Sequence, residues 1–109
     1  MSKPYIFIPD LSAELPELPP DSIISRTFHQ DDLLKAILFS FAQGQELSEH
    51  TASVPAIIHI LEGEADIKLG IDRFIAHQGA WMYLEPNLPH NVYAKTPLRM
   101  LLIMIKKSG

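Results

Sequence analysis

The chain has no cysteine. Disulfides, thiolate metal sites, iron–sulfur clusters and a cysteine nucleophile are excluded together, and a reducing cytoplasm fits that absence. Long apolar runs are missing too. The longest, such as Met100–Ile105, stop at about six residues, where a membrane helix needs about 20. Behind Met1–Tyr5 there is no apolar core of signal-peptide length, so a cytoplasmic protein of bacterial style is expected. Positive charge is scarce. Nine Lys and Arg stand against thirteen Asp and Glu, a formal charge of −4, and no basic run exceeds Lys106–Lys107. Neither nucleic acid nor an acidic membrane surface is an expected partner. The five glycines never cluster, so there is no phosphate-cradling loop. There is no G-x-S-x-G elbow and no serine in a triad context.

What is present suits one ordinary globular domain. The 109 residues weigh 12.3 kDa and are 47% hydrophobic and 20% charged. A chain of this size buries roughly two-thirds of its extended surface, enough for a core without staples. Five of the nine prolines fall in the first twenty residues: Pro4, Pro9, Pro16, Pro19 and Pro20. Proline fixes φ and removes a donor, so residues 1–21 read as an arm, neither helix nor central strand. Its one apolar extended piece, Tyr5–Ile8, needs a surface. It covers its own domain or adds a strand to a partner's sheet.

From residue 22 short strands alternate with turn signals: Ile23–Gln30, Ala56–Leu61, Ala65–Leu69, Arg73–Ala76, Ala80–Leu84, Asn91–Ala94 and Leu98–Lys106. Strands of this length at roughly ten-residue spacing predict an all-β sandwich or barrel over residues 22–109. Asp31–Gln43 is ambiguous. Leu33, Ile37 and Phe41 recur at helical spacing behind a capping Asp31, while Ile37, Phe39 and Phe41 also fit one face of a strand.

Glu62, Glu64 and Asp66 alternate, which on one strand would give a solvated acidic face. Asp31–Asp32 reads as a turn or cap. The five histidines are the remaining chemical lead. His29 and His77 sit in polar company, and His59 lies mid-strand between Ile58 and Ile60 as a structural residue would. His50 and His90 stand apart because of their surroundings.

Gly44-Gln45-Glu46-Leu47-Ser48-Glu49-His50 runs on through Ala52 and Ala56 to Leu61-Glu62-Gly63-Glu64. Gly79-Ala80-Trp81-Met82-Tyr83-Leu84-Glu85-Pro86-Asn87-Leu88-Pro89-His90 follows. Together these resemble the two signature motifs of the cupin superfamily, G-x5-H-x-H-x3-E-x6-G and G-x5-P-x-G-x2-H-x3-N. Gly44, His50 and Gly63 are in register with the first, Gly79 and His90 with the second. The short segment between the motifs is that of the smallest bacterial cupins. The resemblance spans about residues 22–106. It implies a jelly-roll barrel (a double-stranded β-helix, RmlC-like), a strand at Lys35–Gln43, and an N-terminal strand lent across a homodimer.

The departures bear on function. The second metal histidine of the family falls on Ala52 and its metal glutamate on Ala56. The motif proline falls on Glu85, with Pro86 one place on. The motif glycine falls on Asn87, which tolerates a left-handed conformation. The final asparagine falls on Ala94. Of four usual ligands, His50 and His90 remain. They imply either one weakly held divalent transition metal of unspecified identity or none. Alanine at both vacated places makes room for a small organic ligand. The expected pocket residues are His50, Ala52, Ala56, Trp81, Tyr83, His90 and Met100, with the strand face that looks inward left open. Three functions follow from this reading. They are a barrel binding a small molecule near His50 and His90, a metal-dependent oxygenase or isomerase, and a non-catalytic structural barrel.

Overall fold

The computed structural model describes residues 3–15 and 17–106. Residues 1, 2 and 16 of the expected arm and 107–109 of the expected domain lie outside the described residues. Nine strands follow one another: β1 (Ile23–Gln30), β2 (Leu34–Phe41), β3 (Glu46–His50), β4 (Ala56–Glu62), β5 (Ala65–Leu69), β6 (Asp72–Ala76), β7 (Trp81–Leu84), β8 (His90–Ala94) and β9 (Leu98–Ile105). They form a five-stranded sheet, β1-β2-β9-β4-β7, facing a four-stranded sheet, β3-β8-β5-β6, and every ladder is antiparallel. The pairs β2–β9, β3–β8, β4–β7 and β5–β6 nest inside one another. That is a long hairpin rolled into a barrel, the expected all-β jelly roll.

The ambiguous segment Asp31–Gln43 is strand, not helix. β2 carries a ladder on each side, to β1 and to β9, which satisfies its backbone groups twice over. Asp31 caps the turn before it. Its Oδ1 accepts from the amides of Leu33 (2.8 Å) and Leu34 (3.0 Å), and its Oδ2 pairs with His29 (2.8 Å). These contacts, the His29 bond foremost, hold the Asp31 carboxyl down to a pKa of about 2.

Alternation sorts each strand between the interior and the outside. Ala56, Ile58 and Ile60 of β4, Ala65 and Ile67 of β5, Val92 and Ala94 of β8, and Leu98 and Met100 of β9 join Phe41 and Leu84 in one core. At the closing glycine of the first motif, Gly63, φ is +90°, and a Cβ there would collide with the Pro97 carbonyl oxygen. Only glycine admits that approach of the β4–β5 turn to the loop before β9. Asn87 takes the left-handed φ of 66° that its place in the second motif requires.

Three sequence expectations need correction. Glu62, Glu64 and Asp66 do not share a strand face, because the turn at Gly63 sends the chain from one sheet to the other. Each finds its own cation: Glu62 pairs with Arg99, Glu64 with Lys95 and His77, Asp66 with Arg73. His59 is no core histidine. It alternates with Ile58 and Ile60 and so faces outward, half-buried. In the arm, one 3-10 turn at Leu11–Glu14 stands between Pro9 and Pro16, started by the Asp10 side chain on the Ser12 amide. No helix among the described residues is long and apolar enough to cross a membrane.

Candidate functional site

The two histidines carried by the motifs meet. His50 ends β3 and His90 begins β8, directly opposite across the ladder, with ring centroids 4.2 Å apart at 56°. Strand parity alone would not bring them together. Leu47 packs into the core opposite Val92, and three residues further on an unbroken strand would point His50 the other way. A register shift between Leu47 and His50 inserts one residue into β3 and turns His50 onto the interior side.

Each ring is tethered the same way. His50 Nδ1 donates to the Ser48 carbonyl (2.7 Å) and His90 Nδ1 to the Leu88 carbonyl (2.8 Å). A carbonyl only accepts, so the proton of each neutral imidazole sits on Nδ1. Nε2 of each ring is then an acceptor. His90 is 5% exposed while His50 lies at the rim. Burial lowers the His90 pKa below its ordinary value; the Leu88 carbonyl opposes this and the nearby His50 adds to it. At neutral pH the buried ring is therefore uncharged.

The walls around the pair are apolar. Leu69 of β5 is the ladder partner of His90 on its other side, and Leu88 packs against the core from the preceding loop. Ala52 is half-buried, its carbonyl accepting from the Asn87 amide (2.7 Å), and Ala56 is buried at 3% exposure. That bond ties the loop after His50 to the turn before His90, so the two motifs are locked together at the mouth of the barrel.

The other expected pocket residues separate. Met100 is a core side chain at 1% exposure. Trp81 and Tyr83 do not line the interior. On β7 they alternate with Met82 and the buried Leu84, so they point outward, 60% and 50% exposed. The sequence contained that alternation, but the choice of inner face waited on Leu84, which pairs with Ala56 of the core strand β4. A groove of about 450 Å³ runs along the loop before His90, from Tyr83 past Asn87 and Leu88 to Pro89. Two others lie away from the histidines. One of about 400 Å³ runs between the arm and the barrel at Ser12, Ser40, Glu62 and Arg99. Another, about 340 Å³, opens between the free edges β6 and β7 at Phe74, Trp81 and Met82.

Two imidazoles with Nδ1 held by backbone carbonyls have the tautomer a metal ligand needs. The donor set nevertheless falls short. Among the described residues no third histidine, aspartate or glutamate gathers with them, and the two family ligand positions present only methyl groups. A four-ligand metal centre does not fit this chain.

The family assignment rests on sequence and fold together. Residues 37–104 match the family model for the cupin domain, which is more than half of the chain. The protein belongs to the cupin family. A conserved protein of unknown function from Streptococcus pyogenes superposes with a TM-score of 0.83 at 28% identity, covering 100% of this chain and 93% of that one. A cupin superfamily protein from Desulfitobacterium hafniense gives 0.81 at 26% identity over 87% of each chain. A conserved barrel domain protein of the cupin 2 type from Leptotrichia buccalis gives 0.78 at 33% identity, covering 86% of this chain and 46% of that chain. No curated protein matches the sequence.

Proposed function

We propose that this small cupin binds an organic molecule at the mouth of its barrel, with His50 and His90 gripping the polar end. One observation carries the reading: two imidazoles 4.2 Å apart, each with Nδ1 occupied by a backbone carbonyl, set in apolar walls. Two neighbouring Nε2 acceptors call for a ligand that brings hydrogen-bond donors. A phenol, an enol or an alcohol on a compact hydrocarbon body meets that need, its apolar part lying against Leu69, Leu88 and the methyl groups of Ala52 and Ala56. The alanines contribute room where the usual ligands would stand.

The competing reading is a divalent ion held weakly by the two nitrogens and completed by exogenous ligands. The Nδ1 tethers favour it as much as they favour an organic ligand. Elemental mass spectrometry on untagged protein purified without chelator separates the two, run beside thermal-shift titrations with a panel of phenols, enols and alcohols. The expected result is negligible metal and a ligand-dependent rise in melting temperature that both His50→Ala and His90→Ala abolish. Near-stoichiometric metal lost in both variants would replace this reading with a metal-dependent oxygenase or isomerase. Absence of metal and of any ligand response would leave a structural barrel.

A further inference from the structure

The second motif holds one residue that the histidine site leaves unused. Glu85 stands at the place of the motif proline and opens a tight turn. Leu88 donates its amide to the Glu85 carbonyl (3.3 Å). Pro86 takes the position after Glu85, and Asn87, at φ 66°, the next. Proline followed by a left-handed residue makes a type II turn, whose φ angles are set before any ligand arrives. The Asn87 amide ties this turn to the loop after His50 through the Ala52 carbonyl (2.7 Å). The groove of about 450 Å³ runs along the turn. Tyr83 and Glu85 flank the buried Leu84, are both exposed, and both line the groove. Leu88 lines it from the other end of the turn and also walls the histidine pair, its carbonyl accepting from His90 Nδ1. The groove and the histidine site thus share a side chain.

The Glu85 carboxylate is free to take a partner. Among the described residues it joins no ion pair, whereas Glu62, Glu64 and Asp66 each face a cation. The other groove residues, Tyr83, Pro86, Asn87, Leu88 and Pro89, bring no charge. A single negative charge therefore stands beside an exposed aromatic ring. Both attract the same kind of group, the carboxylate by its charge and the ring by its quadrupole. The net charge of −4 draws cations toward the molecule as a whole. The groove's volume falls within the ~300–1,000 Å³ of clefts that hold small molecules.

We propose that the ligand of this barrel is a hydroxylated amine. Its hydroxyl donates to the acceptor nitrogens of His50 and His90, its apolar body crosses Leu88, and its protonated amino group lies in the groove beside Glu85 and Tyr83. The amine end rests on the reading of the histidine pair as the polar grip, and Glu85 is the residue that selects it. A phenol carrying an alkylamine, such as tyramine, has its groups in that order: hydroxyl, apolar ring, ammonium. An uncharged phenol of the same body lacks only the last. A phenol carrying a carboxylate meets repulsion from Glu85, so one residue both selects the amine and rejects the acid.

Titration calorimetry on the full chain tests this with three probes that share a ring and a hydroxyl and differ in charge: para-ethylphenol, tyramine and para-hydroxyphenylpropionate. Tyramine should bind roughly tenfold more tightly than para-ethylphenol, the sum of an exposed ion pair and a cation–π contact. The acid should bind most weakly, and added salt should erode the advantage of tyramine alone. Glu85→Gln should bring tyramine level with para-ethylphenol while the para-ethylphenol affinity stays unchanged. Glu85→Lys should reverse the order in favour of the acid. Glu85 is exposed, so circular dichroism should show the barrel intact in both variants. Equal binding of tyramine and para-ethylphenol, or a preference for the amine that survives Glu85→Gln, would overturn the proposal and leave the histidine grip standing. If no probe binds, or if binding survives His50→Ala and His90→Ala, the histidine grip falls and the amine site with it. An N-acetyl-lysine amide that binds as tightly as tyramine, with an ammonium but no hydroxyl, would assign the groove to lysine side chains of another protein and overturn the proposal as well.

Discussion

At position 63 the backbone must turn with φ at +90° while the Pro97 carbonyl lies where a side chain would begin. Gly63→Ala meets both obstacles and should cost about 2 kcal/mol or more, read as a lower urea midpoint. The same substitution at Gly79, where nothing lies within contact of the added methyl, should cost less, since only the φ of +95° resists. Asp31 is the other residue whose role can be read by itself. Its carboxyl titrates near 2 in the folded protein and at 3.8 when unperturbed. A depressed folded pKa means that its contribution to stability is complete above 3.8 and is lost as pH falls toward 2. Acid unfolding curves of the protein and of Asp31→Asn should converge over that window, and carboxyl NMR should place the midpoint.

The element with the least regular structure has a clear structural role. The arm, broken by prolines and held by one 3-10 turn, is tied to the strands on either side of β2 by Arg26 donating to the Glu14 carbonyl and Arg99 donating to the Ser12 carbonyl, and on β2 Leu38 and Ala36 are 0% and 3% exposed although they alternate with the core-facing residues. Removing residues 1–15 should bare both. Full burial of a leucine is worth about 1.5–3 kcal/mol, so the truncated protein should melt several degrees lower, with its strand content unchanged by circular dichroism. The bulge in β3 acts in the opposite direction, toward the site. A residue deleted between Leu47 and His50 should restore the plain register and swing His50 off the interior side. Ligand response should then be lost, as in His50→Ala, while the barrel survives.

Across the whole molecule the nested hairpin makes most ladders non-local. β2 waits for β9, β3 for β8 and β4 for both β7 and β9, whereas only β1–β2 and β5–β6 join near neighbours. Loop closure precedes the reward of pairing, so refolding should take milliseconds to seconds, followed by stopped-flow circular dichroism. A refolding time in microseconds would contradict this topology.

The division between what the chain announces and what the fold decides follows from the range of the forces. Turn residues and alternation act locally. Gly63, Asn87, the capping Asp31 and the strand runs were therefore legible in order, and with two spaced motifs they carried the fold. His50 and His90 were legible as a pair for the same reason. Alternation says that Trp81 and Tyr83 share a face but not which face, because inside and outside exist only once β7 lies against β4. The acidic alternation at Glu62, Glu64 and Asp66 failed because one glycine turn between them switches sheets. Period-two patterns are blind to such a break. The meeting of the two imidazoles needed a bulge that no spacing records. Composition and strand spacing determined a cysteine-free all-β domain, and the resemblance of its two motifs to those of the cupins added the barrel and the retention of histidine at two of four family ligand positions. Tertiary packing alone decided which side chains face the barrel interior and which face outward.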